Sequence, residues 1–222
     1  PLVTIFAGVG LSMLIAAPIG AAASQVGTLI MWATEQAPLV MGILVSVIVG
    51  VALTLPISSA AICAALGLTG LAGGAAVAGC CAQMVGFAVM SYKENGVGGL
   101  VSQGLGTSML QMGNIIKNPR IWIAPTLASA ITGPLATCLF HFEMNGAAVS
   151  SGMGTCGFVG QIGVYTGWIN DIASGAKTAI TAMDWTGMAL ICFVLPAVLS
   201  WVFCLILRKW GWIGENDLKL EL

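Results

Sequence analysis

Ionisable side chains are scarce in this chain of 222 residues: 7% are Asp, Glu, Lys or Arg, and there is one His. So few charges cannot cover the surface of a soluble 22.6 kDa domain, whereas a lipid bilayer removes the need for a charged surface. The apolar fraction of 58% and the mean hydropathy of +1.00 point the same way. The composition therefore indicates a membrane protein.

Three further scarcities disfavour other functions. The net charge of −1, with no basic stripe, leaves nothing to neutralise phosphates, so nucleic acid is not an expected partner. The seven Cys form no C-x-x-C pair and His141 cannot complete a zinc site, so no metal or other cofactor is expected. We expect the Cys to be small residues that face the core or lipid. A single His also provides no catalytic triad, so we expect no catalytic residue in this chain.

The few charges divide the chain into apolar stretches. No ionisable residue precedes Glu35, and the stretch from Gln36 to Tyr92 is free of charge. About 20 apolar residues cross a bilayer as a helix. The predicted spans are Leu2–Trp32, Leu39–Leu55, Ala60–Tyr92 as one broken helix or two short ones, Ile121–Phe142 and Trp185–Leu207.

Two uncharged segments rich in Gly and amides, Asn95–Asn114 and Asn145–Asn170, differ from plain spans. Irregular backbone inside a bilayer must be buried in protein or line a wet cavity, which favours re-entrant or broken segments that form a substrate path. Surface loops are the alternative. The expected fold is all-α: a polytopic transmembrane helical protein with broken or re-entrant glycine-rich segments.

Pro56 predicts a break in the helix that precedes it. Ser58 and Ser59 would then stand at the N-terminus of the next helix, where hydroxyls cap and the helix dipole favours an anion or a hydroxyl-rich ligand. A kink without any ligand fits the same residues.

Residues 152–157 match the G-x-G-x-x-G dinucleotide fingerprint, but the strand, helix and acidic residue that give that motif its meaning are missing. Glycines continue at steps of three and four, which predicts one glycine face for close packing against another helix. That face would comprise Gly154, Gly157, Gly160, Gly163 and Gly167. Gly67, Gly70 and Gly74 suggest a second close contact.

Uncharged polar residues are the candidates for binding a solute. Amides and hydroxyls both donate and accept hydrogen bonds, so they suit a neutral polyol or sugar better than an inorganic ion. Hydrogen bonding between helices is the alternative for part of the set. Glu143 follows a predicted span and lies either at the bilayer interface or in a polar cavity, where a carboxylate is a functional candidate. The candidate substrate-binding residues are Ser58, Ser59, Gln83, Asn95, Gln103, Thr107, Ser108, Gln111, Asn114, Glu143, Thr155 and Gln161.

The chain ends are predicted from charge and composition. Arg208 and Lys209 directly follow the last span, so the positive-inside rule places the C-terminus in the cytoplasm. We expect a transmembrane domain over residues 1–209 and a solvated polar tail over residues 210–222, with Glu215, Asp217, Lys219 and Glu221 in solvent. Pro1 follows neither a start methionine nor a charged leader, which indicates a piece of a longer polypeptide.

Five sequence blocks occur in a characteristic order: TLPISSAA (54–61), GCCAQMVGFAVMSYKENG (79–96), QGLGTSMLQ (103–111), NPRIWI (118–123) and GMGTCG (152–157). Together they resemble the EIIC-like membrane family of the bacterial phosphotransferase system, over the C-terminal two-thirds of that family. The resemblance implies a permease component of the bacterial inner membrane that moves a sugar or similar small polar solute inward. In standard systems a phosphorylated cytoplasmic subunit then receives the solute, so this chain is at most one part of that enzyme.

The polar motif with a Glu near the substrate, which the familiar sugar permeases share, is not found here. Transport without phosphorylation and a regulatory role therefore also fit the resemblance. We expect a homodimer in contact with membrane lipid, with the solute bound between broken helices. The alternatives are a channel for small solutes or ions, and a membrane sensor or scaffold that does not transport.

Overall fold

The computed structural model describes the backbone of residues 2–220 and the side chains of residue 9 and residues 20–220. Pro1 and Glu221, which the sequence analysis assigned to the start of the domain and to the tail, lie outside the described residues. Ten α-helices occur within residues 2–220: α1 (Leu2–Gln36), α2 (Pro38–Thr54), α3 (Ser59–Leu66), α4 (Gly70–Met90), α5 (Tyr92–Val101), α6 (Met112–Lys117), α7 (Ile123–Pro134), α8 (Val159–Ala173), α9 (Ala182–Ala189) and α10 (Leu195–Lys209).

The described helices confirm an all-α membrane-type protein. Three of them are long and apolar enough to cross a membrane: α4, the continuous helix Pro119–Leu139 that contains α7, and Ala182–Lys209, in which one π-helical turn joins α9 to α10. A helix of 21 residues, such as α4, is about 30 Å long, the thickness of the hydrocarbon core. The shorter apolar helix α2 packs beside them. Within residues 2–220 the β-type pairing is limited to one antiparallel bridge, Gly70 with Met144.

Helix α4 forms the centre of the bundle, and small residues make this possible. A Cβ at Gly79 would overlap the backbone of Ser46 in α2, and one at Gly86 would overlap the Ser200 hydroxyl of α10. The backbones of these helices therefore approach more closely than side chains would allow. Ser129 of α7 completes the contact by accepting the Ser46 hydroxyl at its carbonyl, 2.8 Å away.

The contacts also fix the relative directions of four helices. Helices α2 and α10 run in the same direction as α4, whereas α7, whose Ser129 and Thr126 contact Gly79 and Gln83, runs opposite to them. The beginning of α4 pairs with Met144, and we call that end of the bundle the acidic end. The opposite end, where α4 stops at Met90 and α10 stops at Lys209, is called the amide end. The two ends are separated by the length of α4.

The predicted break at Pro56 is confirmed. Helix α2 stops at Thr54, and α3 starts at Ser59 with Ser58 as its N-cap, whose hydroxyl accepts from the backbone N–H of Ala61 at 3.1 Å. The predicted span Ala60–Tyr92 divides into the eight-residue α3 and the full-length α4.

The prediction of one glycine face over residues 154–167 is wrong in part. Gly154 and Gly157 precede α8 and have positive φ values of 52° and 51°, so they form turns. Gly160, Gly163 and Gly167 do lie on α8, but their face packs against residues 144–154, which comprise loop and a short 3-10 turn and no α-helix. Spacing alone could not distinguish a glycine that turns the chain from one that allows close packing.

Candidate functional site

The segment predicted to be irregular, Asn95–Asn114, is a broken helix whose polar side chains point into the protein. Helix α5 continues into one π-helical turn, the chain becomes extended at Thr107, and a short 3-10 turn leads into α6. Gln103, Ser108 and Gln111 are fully buried. This burial contradicts the surface-loop alternative for these residues.

Three amide side chains of this segment form a continuous chain of hydrogen bonds. Gln103 donates through Nε2 to the Ser91 hydroxyl at 2.8 Å, and Gln111 Nε2 donates to Gln103 Oε1 at 2.9 Å. Asn114 Nδ2 then donates to Gln111 Oε1 at 2.8 Å. Together with Asn95, these residues are called the amide cluster below.

The segment after α10 folds back onto the amide cluster. Asn95 makes two bonds to it: Nδ2 donates to the Leu218 carbonyl at 2.7 Å, and Oδ1 accepts from the Leu220 N–H at 2.8 Å. Gln111 Nε2 also donates to the Leu218 carbonyl, at 3.0 Å, and Asn114 Nδ2 donates to the Lys219 carbonyl at 2.9 Å. Main-chain groups of the tail are thus the hydrogen-bond partners of Asn95, Gln111 and Asn114.

The tail is therefore not simply a solvated end, as its composition suggested. The Leu218 side chain is fully buried in a cluster with Phe87 and Ile115, and Ile213 is buried there as well. Asp217, expected in solvent, accepts from Asn118 Nδ2 at 2.7 Å, whereas Glu215 is exposed as expected. Buried amide donors require acceptors, and the carbonyls of the tail supply them.

A second polar group lies within the bundle beside the amide cluster. Gln83 of α4 accepts at Oε1 from Trp122 Nε1 (2.9 Å) and from Thr54 Oγ1 (3.3 Å). Its Nε2 donates to Thr126 Oγ1 at 3.3 Å, and Thr54 Oγ1 lies 2.8 Å from Ser108 Oγ. The group connects α2, α4, α7 and the 3-10 turn. Sequence reasoning selected Gln83 and Ser108 but missed their partners, because Thr and Trp are common in apolar spans.

The other predicted polar residues make local or cross-segment bonds. The Ser59 hydroxyl donates to the Gly152 carbonyl at 2.7 Å, and Thr155 donates to the Gly104 carbonyl at 2.5 Å. Thr107 accepts from the N–H of Met109 at 3.2 Å. Gln161 donates to Cys81 Sγ at 3.3 Å, and its buried Oε1 has no hydrogen-bond partner among the described residues.

Glu143 lies apart from all of these residues, in a cavity of about 360 Å³ at the acidic end. Asn145 Nδ2 donates to Glu143 Oε2 at 3.0 Å and to Asp171 Oδ2 at 2.9 Å, so a single amide bridges two carboxylates. Across the cavity, Lys177 Nζ lies 2.5 Å from Asp184 Oδ1 and 5.4 Å from the centre of the Trp168 ring. Glu143 is exposed, so the cavity is open at this end. These six residues define the acidic cavity.

The acidic cavity and the amide cluster cannot form one compact site. The carbonyl of Phe142 lies over Gly74, whereas the Gln103 amide binds Ser91. The 17 residues from Gly74 to Ser91 span about 25 Å along a helix. The structure therefore divides the sequence-predicted set, with Glu143 at the acidic end and the amide cluster at the other, whereas Gln161 contacts Cys81 in the middle of α4.

Charge is distributed unequally between the two ends. Thr137 donates to the Pro38 carbonyl at 2.7 Å, which places the α1–α2 junction and Glu35 at the acidic end with Glu143, Asp171 and Asp184. Lys177 is the one Lys or Arg of the sequence that lies there. The other six are at the amide end: Lys93, Lys117, Arg120, Arg208, Lys209 and Lys219.

The seven Cys remain free thiols; five of them are buried, Cys156 is half-buried and Cys138 is exposed. Among the described residues, no group of three or more His, Cys, Asp or Glu side chains could hold a metal ion.

A bundle of membrane-length apolar helices, interrupted by broken segments that bury amides, defines an α-helical membrane-type protein. The chain matches the family described as "Phosphotransferase system, EIIC" over residues 1–220, and it belongs to that family. This confirms the resemblance of the five sequence blocks and supports a permease component of a phosphotransferase system. No curated protein and no solved structure matches the chain.

Proposed function

We propose that this chain binds a sugar or similar small polar solute and translocates it across the bacterial inner membrane as part of a phosphotransferase system. The observation that carries the proposal is the amide cluster in a broken helix, in which Gln103 and Gln111 are fully buried and Asn95 and Asn114 half-buried. Uncharged groups that both donate and accept match the hydroxyls of a sugar. Broken helices are also a feature of the substrate sites of transporters.

The proposed binding site is the amide cluster with seven further residues that sequence reasoning selected. These are Ser58, Ser59, Gln83, Thr107, Ser108, Thr155 and Gln161. Glu143 belongs to the proposal as a contact at the other end of the path, in the acidic cavity. A solute would then meet carboxylates and the Trp168 ring first, and amides later.

Binding of a solute at the amide cluster requires a change in the tail. The tail carbonyls of Leu218 and Lys219 already accept the hydrogen bonds that a solute would need. Solute binding therefore requires the tail to withdraw, and solute hydroxyls then replace those carbonyls as acceptors. Rigid-body movement of one helical group against another accompanies this step.

The charge distribution supports the proposed orientation. Because six of the seven Lys and Arg lie at the amide end, the positive-inside rule favours that end, and the C-terminus, in the cytoplasm. A cytoplasmic phosphocarrier subunit would approach this end. The domain from residue 1 to 209, the tail from residue 210 to 222 and a homodimer remain parts of the proposal.

A membrane sensor that does not transport is the second candidate. The specific observation in its favour is that protein groups satisfy the donors of the amide cluster. In that case the amides only hold helices and tail together. A channel is the third candidate, in which the glycine-rich segments form an open path.

Solute counterflow with the full-length protein in vesicles tests the proposal. A carrier exchanges labelled solute faster when unlabelled solute is present on the far side, and a channel does not. We expect Gln111→Ala and Gln161→Ala to abolish this acceleration, and Asn170→Ala, which removes an exposed amide of α8, to leave it intact. Uptake that survives both the Gln111→Ala and the Gln161→Ala substitution would show that the site is wrongly assigned. Absence of exchange with any sugar or polyol would favour the sensor.

A further inference from the structure

An amphipathic groove lies on the outside of the bundle at the amide end. It has a volume of about 440 Å³ and lies between the end of α4, helix α5 and helix α10. Trp201, Leu205 and Arg208 line it at helical spacing, so α10 contributes a stripe about 10 Å long. Trp201 and Leu205 are 50% and 42% exposed, which shows that the stripe faces away from the core.

The lining of the groove changes from apolar to polar and cationic along this stripe. Val89, Leu100 and Leu205 give it apolar walls, whereas Tyr92, Lys93 and Arg208 line its other part. That second part lies where α4 and α10 end, which is the interface between apolar helix and polar segment. An apolar trough with a cationic end has the shape and polarity of a phospholipid site.

The charges at the cationic end are arranged so that one remains unpaired. Arg208 donates from Nη2 to Glu94 Oε1 at 2.5 Å and from Nε to Cys204 Sγ at 3.4 Å, so its position is fixed and its charge is balanced by Glu94. Lys93 is exposed and has no hydrogen-bond or ion-pair partner among the described residues. The groove therefore presents a net positive charge beside a fixed guanidinium.

We propose that this groove binds an anionic phospholipid, with an acyl chain along Val89, Leu100 and Leu205 and the headgroup phosphate at Lys93 and Arg208. Charge complementarity selects an anionic lipid over a zwitterionic one, because the added cation of a choline headgroup would face Lys93. The proposal does not depend on the solute or on transport, since the groove lies outside the bundle.

Thermal unfolding of the full-length protein in neutral detergent tests the assignment. Phosphatidylglycerol and phosphatidylcholine with identical acyl chains are titrated, and glycerol 3-phosphate serves as the headgroup alone. We expect phosphatidylglycerol to raise the unfolding midpoint at lower concentration than phosphatidylcholine. Glycerol 3-phosphate should have no effect, because it lacks the chain that fills the apolar walls.

Two variants separate the groove from general surface charge. Lys93→Gln should weaken the apparent affinity for phosphatidylglycerol about fivefold, the contribution of one Lys near an anionic surface. Lys209→Gln removes the same charge one residue after Arg208 but outside the groove lining, and it should leave the affinity unchanged. Equal effects of the two variants, or equal stabilisation by both lipids, would overturn the proposal. Stabilisation by glycerol 3-phosphate alone would also overturn it, as would a change of oligomer size in Lys93→Gln.

Discussion

Polar side chains have different environments at the amide end and at the acidic end of this bundle. At the amide end, uncharged side chains are buried, and every donor bond described above goes to another protein group, including the tail carbonyls. At the acidic end, charged side chains line a cavity of about 360 Å³, and one amide is shared between Glu143 and Asp171. The first end is closed by the chain itself, and the second is open.

Solvent exposure explains the difference. A buried amide group without a partner costs the full desolvation of that group, so burial strongly favours pairing. A carboxylate at an open cavity keeps part of its hydration and tolerates incomplete pairing. The comparison shows why the Gln103 and Gln111 amides at the closed end are bonded to protein groups, whereas Glu143 and Asp171 at the open end can share a single amide donor.

The largest expected effect comes from loosening the tail. Leu218→Ala should lower the free energy of unfolding by about 2–5 kcal/mol, because a fully buried leucine leaves a cavity when it is truncated. The tail should also become sensitive to protease under native conditions. Leu205→Ala, at the exposed face of α10, is the matched control and should have a much smaller effect. Equal losses for both would contradict the closed character of the amide end.

An intermediate effect is expected from removing one amide at each end. Gln111→Leu leaves Gln103 Oε1 without its donor and removes one donor to the Leu218 carbonyl, so we expect a loss of about 1–3 kcal/mol. Asn145→Leu at the acidic cavity should cost less, because water replaces the amide between two hydrated carboxylates. Chemical denaturation of the two variants measures this difference. A larger loss for Asn145→Leu would reverse the comparison.

The smallest effect is expected from the ion pair of the acidic cavity. Lys177→Met removes the bond to Asp184 and the contact with Trp168, and stability should change by less than about 1 kcal/mol, as for other solvent-accessible pairs. Tryptophan fluorescence should shift nevertheless, because a cation leaves the ring of Trp168. Lys209→Met serves as the control for loss of charge. An unchanged spectrum would show that Lys177 does not contact the ring in solution.

The fold class could be predicted from the sequence because the bilayer constrains the composition and the length of a span, whatever the particular contacts between helices are. The helix break at Pro56 and the capping by Ser58 could also be predicted, because a missing N–H and a capping hydroxyl affect only residues a few positions away. The burial of Gln103 and Gln111 followed from irregular backbone that must be enclosed at membrane depth.

Contacts between residues that are far apart in the chain could not be predicted from the sequence. Asn95 and Leu220 are 125 positions apart, and no local pattern indicates that a polar tail returns to an amide. The acidic cavity joins Glu143, Asp171 and Lys177 from separate segments, which short spacing rules do not connect. The prediction for Gly154 and Gly157, the glycines before α8, was wrong for another reason: a regular spacing does not indicate which glycine has a positive φ.

Ligand-dependent thermal stability measures the central claim most directly, namely that the amide cluster is a solute site closed by the tail. The full-length protein and its Leu218→Ala variant are screened against sugars, polyols, sugar acids and small organic anions. Any ligand that prefers the native state must raise the unfolding midpoint. We predict that a sugar or polyol stabilises both proteins, and that it does so at lower concentration in Leu218→Ala, where the tail competes less. Stabilisation by anions alone, or by no solute in either protein, would contradict the account.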